Sequence, residues 1–169
     1  MGVNQRAQIR MTEAEITEFV AHSRIATLAS NGPQGTPHLV AMWYAVLDGE
    51  LWFETKAKSQ KVRNLRRDDR VTCLIEDGLT YDVLRGVSIE GTATISEDPD
   101  DLLRVGIGVW ERYYGPYSPD QRPMVDALMN KRVAVRVVAR RVRSWDHRKL
   151  GLAPMPVSGS TARYLERKP

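Results

Sequence analysis

Apolar and polar residues alternate through "RIATLAS" (24–30), "RVTCLIED" (70–77), "VLRGVSIEGTATISED" (83–98) and "RVAVRVVARRVRSWD" (132–146). This two-residue period belongs to strands with one covered face. "PHLVAMWYAVLDG" (37–49) is a longer apolar run, and its closing Asp48-Gly49 predicts a tight hairpin into "ELWFET" (50–55). Strands one to three therefore read as an antiparallel meander, and six strands are expected in all.

Helical spacing interrupts the strands at three places. In "TEAEITEFVAHS" (12–23), Thr12 and Glu15 stand at capping-box distance, and Ile16, Phe19 and Val20 share a face. In "SQKVRNLRR" (59–67), Ser59 is the expected N-cap, with Val62 and Leu65 turned inward. Pro99 opens a helical segment through about Tyr114, which "GPYSP" breaks before a second short helix over about 120–130. Antiparallel strands with few helices predict a mainly β chain, a small barrel with helical decoration. Residues 1–10 are expected as a flexible arm, 11–150 as the single domain with a helical insert at about 98–130, and 151–169 as an irregular tail.

Composition changes this picture little. A chain of 169 residues, 42% hydrophobic and 27% charged, suits one globular core. The net charge of +4 permits an anionic ligand without demanding nucleic acid. Cys73, the only cysteine, excludes an internal disulfide and sits in the apolar run "VTCLI" as a core residue. No segment has the length of a membrane span or the pattern of a signal peptide, so a cytoplasmic protein without membrane partners is expected.

Motifs for dinucleotide, nucleoside triphosphate or zinc binding are absent. His22, His38 and His147 are widely separated and have no metal-ligand spacing, so no metal is expected. What remains is a basic cluster: Lys56, Lys58, Lys61, Arg63, Arg66, Arg67 and Arg70 within fifteen residues. A helix beginning at Ser59 would present free amides, a hydroxyl, Lys58 and Lys61 to a phosphate. Arg66, Arg67 and Arg70 lie at its other end, suited to pairing with Asp68 or Asp69. Charge alone leaves three readings open: a solvated face, a small anionic ligand, or nucleic acid. Nucleic acid is disfavoured, because no aromatic residues are interleaved with the charge.

The ordered series "RIATLASNGPQGTPHLVAMWYAVLDGELWFET", "SQKVRNLRRDDRVT" and "VSIEGTATI" resembles the pyridoxamine 5′-phosphate oxidase-like split β-barrel family, in particular its flavin/deazaflavin oxidoreductase branch. The resemblance covers residues 12–150. It implies a six-stranded antiparallel split β-barrel that forms a homodimer, with cofactor sites at the subunit interface. It implies a cofactor phosphate held by Ser59, Lys61 and Asn64, with Lys58 nearby, and a tricyclic ring lying along Val40, Ala41, Met42 and Trp43. Lys56 and Lys58 would reach the acidic tail of F420, and this lysine density favours F420 over FMN. The implied activity is hydride transfer between reduced F420 and a small organic acceptor. An FMN-dependent oxidase or a non-catalytic F420 carrier are the alternatives. Catalytic residues are not identified; Tyr81 and His38 are the side chains considered as proton donors. Trp145 is read either as a dimer contact or as a plug on its own barrel.

Overall fold

The computed structural model describes residues 4–165. The elements run α1 (Gln5–Gln8), α2 (Glu13–His22), β1 (Ala26–Asn31), β2 (Pro37–Met42), β3 (Ala45–Leu47), β4 (Glu50–Lys56), α3 (Gln60–Arg67), β5 (Arg70–Asp77), β6 (Arg85–Ser96), α4 (Pro99–Tyr113), α5 (Arg122–Met129) and β7 (Arg132–Asp146). The seven strands form one antiparallel sheet in the order β2-β1-β5-β6-β7-β4-β3.

The seventh strand arises because the apolar run expected as one strand over 37–49 leaves the sheet at Trp43 and Tyr44. Its first half pairs with β1, Ala26 opposite Met42. Its second half pairs with β4, Ala45 opposite Trp52. These halves are the two outer strands of the sheet, joined by two residues, and so the curled sheet is brought round on itself. Counted as one bent strand, they give the six strands expected. The Asp48-Gly49 turn forms as anticipated, with both residues at positive φ (53° and 78°) and Leu47 opposite Glu50.

The main core fills the curl with Leu28, Tyr44, Phe53, Val62, Leu65, Cys73, Ile75, Val87, Val133, Val135 and Val137. Burial pushes the Cys73 thiol up to about 12, which leaves it a packing residue. The helical insert makes a second cluster, in which Val105 and Val109 of α4 meet Ala45, Trp52 and Ala134 on the outside of the sheet. Asp98 caps α4 by accepting from Asp100 N at 2.9 Å, with Pro99 in the first turn.

Of the expected N-terminal arm, residues 1–3 lie outside the described residues. Residues 4–10 include α1 and are tied to the last strand: Asp146 N donates to Ile9 O at 2.7 Å, and Met11 N donates to Ser144 Oγ at 3.1 Å. The capping box of α2 forms, with Thr12 N on Glu15 and Glu15 N on Thr12 Oγ1 at 3.2 Å. Among the described residues, no helix is long and apolar enough to cross a membrane.

Candidate cofactor cleft

The chain passes from β4 into α3 through Lys56–Ser59, and β7 begins beside it because Lys56 lies opposite Arg132 in the ladder. Across the gap stands the end of β2. These three pieces enclose a cleft of about 440 Å³ lined by Ala41, Met42, Trp43, Glu54, Thr55, Lys56, Ser59, Lys61 and Arg132. Six of the nine residues expected from the sequence therefore meet in one place.

The other three sit elsewhere. Val40 is half-buried and packs on the main core. Lys58 is exposed and does not line the cleft. Asn64 is 0% exposed; its Nδ2 donates to Ser30 Oγ at 3.1 Å, and its Oδ1 accepts from Gln60 Nε2 at 2.8 Å. Both ends of its amide are thus engaged within the fold. At 3.6 residues per turn, Lys61 shares the inner helix face with Val62, Asn64 and Leu65. Lys61 reaches the cleft because it is in the first turn and has a long stem that carries its ammonium past the buried side chains.

Ser59 occupies the N-cap position, yet no side chain caps α3. Its hydroxyl instead lies 3.4 Å from Thr55 Oγ1, which also accepts from Lys61 Nζ at 3.1 Å. The first backbone bond into α3 is Arg63 N to Ser59 O, 3.2 Å. The amides of Gln60 and Lys61 precede it, at the positive end of the helix. Hydroxyls, an ammonium and an uncapped helix start thus converge on one wall of the cleft.

The charges of the cleft are coupled. Glu54 is buried and paired with Arg132. Desolvation raises the Glu54 carboxyl from its ordinary value, and the Arg132 guanidinium acts against that rise. Desolvation likewise lowers the Lys61 ammonium, which Glu54 partly offsets. Arg132 Nε is buried without a hydrogen-bond partner among the described residues. Lys56 Nζ is held by Asn130 O at 3.2 Å. With Lys56, Lys61 and Arg132 against the single carboxylate of Glu54, the lining keeps a cationic surplus.

Trp43 forms the opposite wall. It is 42% exposed, and Tyr113 stacks on it with centroids 4.2 Å apart and planes 3° from parallel. The arginines further along the basic cluster are engaged away from the cleft. Arg66 pairs with Glu97, Arg70 pairs with Asp68 at 2.7 Å, and Arg67 donates to Asn31 O. A larger cleft of about 600 Å³ beside α2 has two of its arginines paired within its own lining, Arg85 with Asp77 at 2.7 Å and Arg148 with Asp146. Tyr81 and His38 do not line this cleft; Tyr81 O contacts His147 Nδ1 at 2.8 Å.

Glu54, Thr55 and Arg132 were not anticipated from the sequence. A local signal existed for the first two, a carboxylate and a hydroxyl that follow "LWF" at the end of an otherwise apolar strand. For Arg132 there was none, since only the register of β4 on β7 brings it beside Lys56.

A family model described as Pyridoxamine 5′-phosphate oxidase matches residues 12–146. Among solved structures, the chain is similar to the conserved hypothetical protein Rv2991 from Mycobacterium tuberculosis, with 68% identity and a TM-score of 0.90, covering 92% of this chain and 98% of that one. It is similar to an F420 reductase at 28% identity and a TM-score of 0.55, covering 74% and 93%. An FAD-binding protein from Mesorhizobium loti shares the fold at 18% identity and a TM-score of 0.58, covering 79% and 94%. A search of curated proteins gives no match. With the family model spanning the barrel from the start of α2 to the end of β7, the chain belongs to the pyridoxamine 5′-phosphate oxidase-like split-barrel family, which includes oxidoreductases.

Proposed function

We propose that this protein is a cytoplasmic F420-dependent oxidoreductase that transfers a hydride between the reduced deazaflavin and a small organic acceptor. The observation that carries the reading is the meeting of Ser59, Thr55, Lys61, Lys56 and Arg132 opposite Trp43 in one cleft. The donor set fits a phosphate. The uncapped start of α3 supplies amides, Ser59 and Thr55 supply hydroxyls, and Lys61 supplies charge. Arg132 Nε, buried and unpartnered among the described residues, is a further donor at the same wall.

The cofactor, when bound, supplies the redox chemistry; the protein binds it, orients it and excludes water. Lys61 and Ser59 hold the phosphate end, while Ala41, Met42 and Trp43 form the wall for a planar ring. Lys56, with the exposed Lys58 beyond the cleft, favours a ligand whose negative charge continues past its phosphate, and this points to F420 over FMN. Val40 and Asn64 serve from within, by holding β2 and α3 in place. A homodimer with the cleft at its interface is part of the proposal. Leu39 on β2, 62% exposed, and Val142 on β7 offer apolar surface for a second copy.

Fluorescence polarisation with F420 and FMN tests the assignment. F420 is expected to bind in the micromolar range or tighter; equal or tighter binding of FMN would reverse the choice of cofactor. Failure to oxidise reduced F420 with quinone, enone or tetrapyrrole acceptors would leave a carrier of F420. Salt-sensitive DNA binding without affinity for either cofactor would overturn the reading.

A further inference from the structure

Tyr113, at the last turn of α4, does two things at once. Its ring stacks on Trp43 at 4.2 Å and 3°. Its hydroxyl accepts from Tyr44 N–H at 3.0 Å and lies within donating distance of Arg24 O (2.8 Å) and Tyr44 O (3.2 Å). The two Tyr44 groups lie at the break where the chain leaves β2 and enters β3, and Arg24 O lies just before β1, so all three fall outside the β1–β2 ladder, which begins at Ala26 and Met42. A phenol from the insert thus substitutes for the missing strand neighbour at the residue after Trp43.

The surroundings hold this phenol still. Arg112 donates to Val20 O at 2.8 Å and to Ser23 O, the same two carbonyls that lie within donating distance of Tyr44 Oη at 2.7 and 2.9 Å. Its guanidinium also lies 4.3 Å from the Tyr44 ring centroid. Arg24 lies 5.0 Å from the centroid of Tyr113, and Tyr114 meets Trp43 edge-on at 5.8 Å and 74°. The C-terminal end of α2, the break in the strand and the end of α4 therefore form one locked corner. Trp43 is the part of that corner that faces the cleft.

We propose that Tyr113 is a positioning residue, which fixes the plane of Trp43 so that the indole is presented as a rigid wall to a planar ligand in the cleft. This rests on the cofactor reading above. The helical insert then contributes to ligand binding through Trp43 without lining the cleft itself. A stacked aromatic pair orders a side chain that would otherwise lose rotamer freedom when the ligand binds.

Binding of F420 and FMN to wild type, Tyr113→Leu, Tyr113→Phe, Trp43→Leu and the Trp43→Leu/Tyr113→Leu double variant tests the inference. Inorganic phosphate as a competitor reports the phosphate corner separately. Tyr113→Leu is expected to weaken binding of the intact cofactor by about tenfold, the scale of one aromatic pair, and to leave competition by phosphate unchanged. Tyr113→Phe, which keeps the stack, is expected to bind more tightly than Tyr113→Leu. In the Trp43→Leu background, Tyr113→Leu is expected to have no further effect. Wild-type affinity in Tyr113→Leu, or an equal loss with and without Trp43, would overturn the positioning role alone. Wild-type protein that binds neither cofactor would overturn the reading beneath it and the role together. Should Tyr113→Leu fail to fold, Tyr113→Met gives the same comparison with an unbranched side chain that adapts to the site.

Discussion

Asn64 Nδ2 donates to Ser30 Oγ at 3.1 Å, and both residues are buried, so α3 is pinned to β1 from inside the curl of the sheet. Removing this amide leaves a hydroxyl unsatisfied in the interior. Asn64→Ala is expected to lose about 1–3 kcal/mol of stability, measurable by urea denaturation. Cofactor affinity of the folded variant is expected to stay unchanged, whereas a direct contact of Asn64 with the phosphate would show as a loss.

Lys61 behaves in the opposite way. Lys61→Ala is expected to weaken F420 binding by about 1.5–3 kcal/mol, the range for a hydrogen bond to a charged group. The pH dependence has a definite sign. An anion needs the ammonium protonated, and desolvation has lowered its pKa. Affinity should fall as pH rises through that lowered value, before a free lysine would titrate. Lys61→Arg, which stays charged, should remove this alkaline loss in a titration series across pH.

Alkaline stability has its own signature. Burial raises the Tyr44 phenol from 10.0 to about 12 and the Cys73 thiol from 9.0 to about 12. The unfolded chain ionises first in both cases, so their contribution is complete below about pH 9 and is lost as pH rises towards 12. Thermal melts across this range should show falling stability. Cys73→Val should make the decline begin later, because only Tyr44 then contributes to it.

Gly106 marks the crossing of α4 and α5. A Cβ there would lie 2.7 Å from Val125 Cγ1 and 2.8 Å from Met129 Cγ. Gly106→Ala gains helix propensity but overfills this contact, and a net loss of about 1–3 kcal/mol is expected. Because the insert packs outside the main core, the loss should come with altered near-ultraviolet signal from Trp110 and Trp43 before the barrel itself unfolds.

Much of the fold was legible because its signals are local. The capping box of α2, the Asp48-Gly49 turn and the alternation of β1 and β5 each depend on neighbours within a few residues. The break at Trp43-Tyr44 was not legible. Both halves of that run are apolar, and only the different partners of each half, β1 and β4, show that the chain must bend between them. The burial of Asn64 was not legible for a related reason: helical spacing puts it near Lys61, but the depth of the helix in the barrel decides which of the two lines the cleft.

Residue order by itself determined that this chain would be an antiparallel β protein with an amphipathic α3 whose basic residues crowd one end. It also determined that the polar residues most suited to a phosphate would stand at the start of that helix. The tertiary structure alone decided which cations share the site, since Arg132 comes from 76 residues beyond Lys56 through the pairing of β7 on β4. It alone decided that Trp43 would be a fixed wall, since Tyr113 reaches it from the insert. Periodicity reports which face of an element is covered; it does not report what covers it, because contacts between distant segments depend on register and closure, which no local pattern encodes.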